Sequence, residues 1–279
     1  MPPDGRLVVD SLSSMATDVE GRLRTMSCGW KPFGADLNPA AYLSCQRLGF
    51  ALVSFIMRSA LGLFVVVAAS LSLATAGHPD STGPGWRDLF KPDLADSEKP
   101  EGVWKVEQGV ITASADQNLW AAGEYENFTL DLEFMNSPGT NSGVVIYCSD
   151  VKNWIPNSVE IQIADDFAEK WSKSPKNWQC GAVFGHLAPS KSVVKKPGEW
   201  NRMTIEAKGK SLKIWVNGEL VSDMDMALWT SAKKNPDGSD IPAWLSKPFA
   251  ELKPKGRIGF QGKHGDAPIA FRNIRIKTA

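Results

Sequence analysis

The stretch Ser158-Val-Glu-Ile-Gln-Ile-Ala-Asp165 alternates with period two, and that alternation constrains the fold more than any other feature of the chain. Successive side chains of a β-strand point to opposite faces. Val159, Ile161 and Ile163 therefore share one face and Glu160 and Gln162 the other. A carboxylate beside an amide, with Asp165 and Asp166 close behind, reads as the floor of a cleft for a polar substrate. Other runs follow the same rule. Phe128 to Phe134 alternates, Gly143 to Tyr147 is a buried strand, and Val103–Val106 with Gly109–Ala113 forms a hairpin. Gly181–Phe184, Arg202–Ala207, Leu212–Val216, Glu219–Val221, Arg257–Gln261 and Ala270–Lys277 complete the set. Asn217-Gly218 between two β runs is a strong hairpin signal, because both turn positions need positive φ. No stretch sustains a helical period. Asp225 to Lys255, with Pro236, Gly238, Pro242 and Pro248, reads as a long irregular insertion, functional or mobile. Many short strands without alternating helices indicate an all-β sandwich or jelly roll of two curved antiparallel sheets.

The N-terminal part reads differently. Ser59 to Ala76 is an uncharged apolar run preceded by Arg58, and Ala74-Thr-Ala76 is a small-x-small cleavage site. This order describes a secretory signal peptide over 57–76 that starts at Met57. Residues 1–56 are then a non-native upstream extension or a disordered tail. The alternative is an uncleaved anchor, since a spanning helix needs roughly 20 residues; basic residues such as Arg22, Arg24 and Lys31 would hold its tail inside. Residues 77–84 form a linker and 85–279 one domain. Either reading exports that domain, to the periplasm or the outside, and only the anchor gives it a membrane partner. Cys28 and Cys45 would be removed, and Cys148 and Cys180 would meet an oxidising compartment, as a disulfide or as two buried thiols. The net charge of +0 argues against a nucleic-acid partner.

The matching segments from Gly85 to Lys277 resemble one known family. They are Gly85-Trp-Arg-Asp-Leu-Phe90, Phe128–Phe134, Asn141-Ser-Gly143, Val159-Glu-Ile-Gln-Ile-Ala-Asp165, Gly181-Ala-Val-Phe-Gly185, Pro197-Gly-Glu-Trp-Asn201 and Val216-Asn-Gly218. Gly256-Arg-Ile-Gly-Phe-Gln261, His264-Gly265 and Phe271-Arg-Asn-Ile274 close the series. In order and spacing they resemble the concanavalin A-like 3-keto-disaccharide hydrolase (3-keto-glucoside 1,2-lyase/hydratase) family, once catalogued as a domain of unknown function (DUF1080). Two positions depart from its pattern: Ser158 stands where a Gly is common, and Tyr147 where an Arg is common.

The resemblance implies action on an oxidised sugar or oligosaccharide whose C3 ketone acidifies the C2 hydrogen. A base removes that hydrogen, the C1 aglycone leaves, and water adds back. Such chemistry needs a base, a donor to the ketone and an acid for the leaving group. Glu160 is the first candidate for a catalytic group, or for a ligand to a divalent metal ion. His264, in a Gly-rich loop, is its titratable partner, because histidine ordinarily titrates near neutrality. His186 is a weaker second. Asp165 joins them if the strand bulges. Gln162, Asn141, Tyr147 and Gln261 would bind substrate, and Arg272 is either a substrate clamp or half of a structural salt bridge. Trp154, Trp171 and Trp178 could stack on sugar rings, while Lys152, Lys170, Lys173 and Lys176 read as a solvated face. Two other functions fit the same residues: a non-catalytic carbohydrate-binding jelly roll, and an ordinary glycoside hydrolase working through Glu160 and Asp165.

Overall fold

The computed structural model describes residues 81–279, together with two three-residue strands nearer the N-terminus, β1 (Met15–Thr17) and β2 (Leu23–Thr25). The chain divides into two compact units, Met1–Ser70 and Leu71–Ala279, and β1 pairs with β2 antiparallel in the first. The expected signal segment 57–76, most of the linker, Cys28 and Cys45 lie outside the described residues. No helix among those described is long and apolar enough to cross a membrane.

The second unit is all-β. Its strands are β3 (Trp86–Asp88), β4 (Ser97–Glu98), β5 (Trp104–Glu107), β6 (Val110–Ala113), β7 (Leu119–Ala121), β8 (Phe128–Asn136) and β9 (Asn141–Cys148). They continue as β10 (Val159–Ala164), β11 (Trp200–Lys208), β12 (Ser211–Val216), β13 (Glu219–Asp225), β14 (Arg257–Phe260) and β15 (Ile269–Thr278). One antiparallel sheet runs β10–β9–β14–β7–β4. The other runs β13–β12–β11–β8–β15–β6–β5, with β3 paired to β15. The only α-helix among the described residues is the single turn α1 (Glu169–Ser172). Asn217 and Gly218 take φ of 50° and 88°, as the β12–β13 hairpin requires.

The two sheets enclose one apolar core. Val144, Ile146, Ile161 and Ile163 of the smaller sheet and Leu130, Leu132, Phe134 and Ile205 of the larger are each 0 % exposed. Phe260 and Phe271 meet edge to face between the sheets, at a centroid distance of 5.2 Å. Each such side chain contributes roughly 1.5–3 kcal/mol by leaving water. The burial fixes register: a one-residue slip of β10 would push Glu160 and Gln162 into the core, where unpaired polar groups are costly. The outer face of the smaller sheet is therefore free to carry chemistry.

Two expectations are revised. Gly181–Phe184 forms no regular strand. Gly181 and Gly185 hold φ of 85° and 71°, so the segment enters and leaves in left-handed backbone. It still covers the β10 edge: Gln162 donates to the Ala182 carbonyl and Phe184 to the Glu160 carbonyl, both at 2.9 Å. The irregular insertion 225–255 is anchored rather than loose. Ile241, Leu245, Phe249 and Leu252 are buried, and Asn235 links the indole of Trp229 (2.9 Å) to the Gly185 carbonyl (3.2 Å).

His186 helps hold that insertion. Its ring stacks on Phe249 at 3.7 Å, its Nδ1 lies 2.8 Å from the Phe184 carbonyl, and its Nε2 has no partner. Burial pushes its pKa down to about 4. The unfolded chain, with histidine near 6.5, then binds more protons between about pH 4 and 6.5, so stability falls as pH drops through that window. The loss is at most ~3 kcal/mol. Denaturant midpoints at pH 7 and pH 4 should fall less in His186→Gln than in the parent protein; equal falls would remove His186 as the cause.

Candidate functional site

A cleft of about 1040 Å³ lies on the outer face of the smaller sheet. Glu160 and Gln162 of β10, Asn141 of β9, Gln261 and His264 beyond β14, and Asp116, Asn118 and Trp120 at β7 all line it. Sheet pairing explains the assembly. Gln162 lies opposite Gly143 and Glu160 opposite Val145, while β14 pairs with the other side of β9.

Gly143 makes room for the central carboxyl. A Cβ there would lie 2.5 Å from Glu160 Oε1 and 2.9 Å from Glu160 Cγ. Glu160 thus leans over the bare backbone of β9, and no described residue hydrogen-bonds to its carboxyl. Burial pushes its pKa up to about 8, and the negative charge of Asp116 adds to the shift. Gly143→Ala should accordingly displace a flexible side-chain end at little cost in stability. Turnover should nevertheless fall ~10- to 100-fold, because small misplacements of a reacting group are expensive. Steady-state kinetics with a thermal melt on the same sample checks both halves; unchanged turnover would mean that the position of Glu160 is not critical.

His264 is held by a second glycine contact. A Cβ on Gly262 would lie 2.4 Å from the Ala115 carbonyl and 2.6 Å from that of Gln117. Only glycine lets the 261–265 loop close against the 115–117 loop, and Lys263 donates to the Ala115 carbonyl at 3.0 Å. The closure brings His264 Nδ1 to 2.5 Å from Asp116 Oδ2, with both side chains about half exposed. Asp116 escaped the sequence reading. Its only signal is the polar run Asp116-Gln-Asn118 between two short strands, which by itself looks like an ordinary turn.

The amides complete the site. Gln162 Nε2 donates to Asn141 Oδ1 at 2.9 Å. Gln261 Oε1 and Asn118 Nδ2 are buried without hydrogen-bond partners, each in a residue that lines the cleft. Trp120 lies beneath, where Gly259 leaves space for its indole.

Three expected site residues lie elsewhere. β10 stays in register through Ala164, so no bulge turns Asp165 inward. The Asp165 carboxylate is 3 % exposed and accepts the Gly139 N–H at 2.8 Å and the Phe167 N–H at 3.1 Å. Tyr147 adopts φ of 55°, which breaks the alternation of β9 and turns its ring into the core. Its single hydroxyl proton is shared between the Glu126 and Gly209 carbonyls, 3.0 and 2.9 Å away, and burial, with the Glu126 charge second, raises its pKa well above the usual range. Arg272 belongs to the larger sheet. It pairs with Glu133 at 2.6 Å and lies 3.9 Å over the Trp200 ring. Cys148 and Cys180 are both free, in separate clusters: Cys148 packs with Trp120 and Val145, Cys180 in the main core. Among the described residues no group of three or more His, Cys, Asp or Glu is placed to hold a metal ion.

A two-sheet β-sandwich with a polar cleft holding a protonatable carboxyl and a His–Asp pair has the groups that acid–base work on a sugar needs. The family model described as the 3-keto-alpha-glucoside-1,2-lyase-like domain matches residues 85–277, and the chain belongs to this family. A 3-keto-disaccharide hydrolase of Bacteroides thetaiotaomicron is 26% identical over 225 residues, covering 70% of this chain and 74% of that protein. A crystal structure from Parabacteroides distasonis ATCC 8503, of a protein provisionally assigned as a glycosyl hydrolase, matches with TM-score 0.68 and 55% identity. That match covers 70% of this chain and 99% of the other. A second structure from the same organism, at TM-score 0.56 and 22% identity over 70% and 94% of the two chains, shares the fold. The protein is carbohydrate-active.

Proposed function

We propose that the protein is an exported enzyme that cleaves 3-keto-glycosides by elimination and hydration, a net hydrolysis. The observation that carries this reading is the Glu160 carboxyl, with its pKa pushed up to about 8, in the same cleft as the Asp116-paired His264. Two titratable groups in contrasting environments divide acid and base work between them.

In this reading His264 donates Nδ1–H to Asp116 and keeps Nε2 free as the base. Nε2 takes the C2 proton, and the electrons of that C–H bond form an enolate with the C3 ketone. The enolate oxygen needs a donor from the cleft wall, which carries the side-chain amides of Asn118, Asn141 and Gln162. The enolate collapses, the C1–O bond breaks, and Glu160 gives its proton to the departing oxygen. Water then adds, its oxygen to C1 and a proton from His264 to C2, while Glu160 recovers the water's second proton. The products are the free 3-keto sugar and the protonated aglycone.

The test is to incubate the protein with a 3-keto-glucoside and with its unoxidised parent. Loss of the oxidised sugar alone supports the reading. Binding of both without turnover supports a carbohydrate-binding module, and cleavage of the parent supports an ordinary glycoside hydrolase. Export rests on Arg58 and the apolar run to Ala76; N-terminal sequencing of the mature protein decides between cleavage and an anchor.

A further inference from the structure

We propose that the flank of the cleft beyond the β10 edge is an aglycone subsite for an aromatic ring, formed by Phe184, Trp178 and Trp244; the role rests on the glycoside-cleaving reading above. The sheet order places this flank. β10 is an edge strand, and the polar lining at β9, β14 and β7 lies on its inner side. On its outer side Phe184 donates its N–H to the Glu160 carbonyl at 2.9 Å. Phe184 is thereby the neighbour of Glu160 on the side away from His264.

Two indoles extend from Phe184. Trp178 lies 5.3 Å from its ring at 44°, and Trp244 lies 6.1 Å from Trp178 at 67°. Trp244 remains 53% exposed, although the next residue, Leu245, is buried. The wall is rigid: a Cβ on Gly185 would lie 2.5 Å from Leu245 Cδ1, so the loop carrying Phe184 packs directly on the insertion carrying Trp244. A well-anchored loop therefore holds a large indole half in water, inside the cleft.

The chemistry of this wall selects its occupant. None of the three residues offers a polar group other than an indole N–H. A second sugar can stack one C–H face on such a wall, but its hydroxyls gain no partner from these side chains, so the wall favours a ring that is apolar throughout. A planar aryl group meets aromatic faces at an angle, the arrangement aromatic pairs prefer. The position also fits the roles proposed above. With Glu160 as the acid, the C1 oxygen lies at Glu160 and the aglycone continues past it, away from the base.

The experiment compares 4-nitrophenyl 3-keto-glucoside with methyl 3-keto-glucoside in the full chain and in Trp244→Ala. The aryl-to-methyl ratio of kcat/KM should fall about tenfold in the variant, the scale of one lost aromatic contact in a cleft. Trp244→Phe should restore most of it. A ratio within about twofold of the parent protein overturns the proposal. Calorimetric binding of unoxidised 4-nitrophenyl glucoside is measured alongside. Should the parent protein turn over no 3-keto sugar, the reaction assigned above fails, and binding alone decides the subsite. A dissociation constant about tenfold weaker in Trp244→Ala upholds it, and an unchanged one overturns it.

Discussion

Glu160→Gln is expected to abolish turnover of a 3-keto-glycoside while raising the melting temperature at pH 8. A glutamine amide cannot protonate a leaving oxygen, and the loss of a general acid costs ~10²- to 10⁴-fold. The stability half follows from the same pKa. Burial, reinforced by the charge of Asp116, pushes Glu160 up to about 8 from its ordinary value of 4.5. The folded state therefore holds this proton more tightly than the unfolded chain. Its stability is highest below about pH 4.5 and declines as pH rises through 8. At 1.36 kcal/mol per pKa step the whole cost is at most ~5 kcal/mol. Water in the cleft screens part of it, and a gain of about 2 kcal/mol in the variant is reasonable, or ~4–8 °C for a domain of this size. The parent protein should also lose activity on the alkaline side, near pH 8, as Glu160 gives up its proton. A variant with full turnover, or one that melts lower at pH 8, would remove Glu160 from the acid role.

The contrast between Glu160 and Tyr147 marks where the sequence stops being readable. Both sit at positions that period-two alternation assigns to the outer face. Glu160 obeys, because β10 pairs in unbroken register with β9 and its apolar face is fixed by Val159, Ile161 and Ile163. Tyr147 does not, because one left-handed residue turns its side chain to the other face. Nothing local announces this: the compensating bonds run to the carbonyls of Glu126 and Gly209, far away in sequence. The same division holds for the insertion after β13. Its proline and glycine content makes it readable as irregular, but its anchoring depends on Phe249 reaching His186 and Asn235 reaching Gly185.

The site divides along the same line. Glu160, Gln162, Asn141, Gln261 and His264 converge because they sit on neighbouring strands or just beyond them. Asp116 was hidden because its role depends on two glycine contacts, and a glycine's neighbours cannot be named from one sequence. In the chain Gly143 only opens a buried strand and Gly262 only belongs to a Gly-rich loop. In the fold, the missing Cβ of Gly143 admits the Glu160 carboxyl and that of Gly262 admits the loop beside Asp116. Asp165 shows the converse. Its place after a reactive-looking strand suggested chemistry, yet two backbone N–H groups claim its carboxylate to close a turn.

Asp116 and His264 should behave as one unit. His264→Ala removes the proposed base and should lower kcat/KM ~10²- to 10⁴-fold. Asp116→Asn leaves the imidazole in place but without a carboxylate to fix its tautomer, and a loss of ~10²-fold or more is expected. The double variant should be little worse than His264→Ala, because residues that act through one another do not contribute additively. Folding should barely change. Both side chains are about half exposed, and exposed ion pairs are worth at most ~1 kcal/mol. Asp116→Asn carries a second signature that a purely structural residue would lack. The Asp116 charge is one of the two causes that raise the Glu160 pKa. Removing it should lower that pKa and move the alkaline limb of the residual activity to lower pH, while burial still holds it above the ordinary carboxylate range. A pH profile of the purified variant reads this directly. Additive losses in the double variant, or an alkaline limb that stays in place, would separate the pair from Glu160 and leave His264 without its positioning partner.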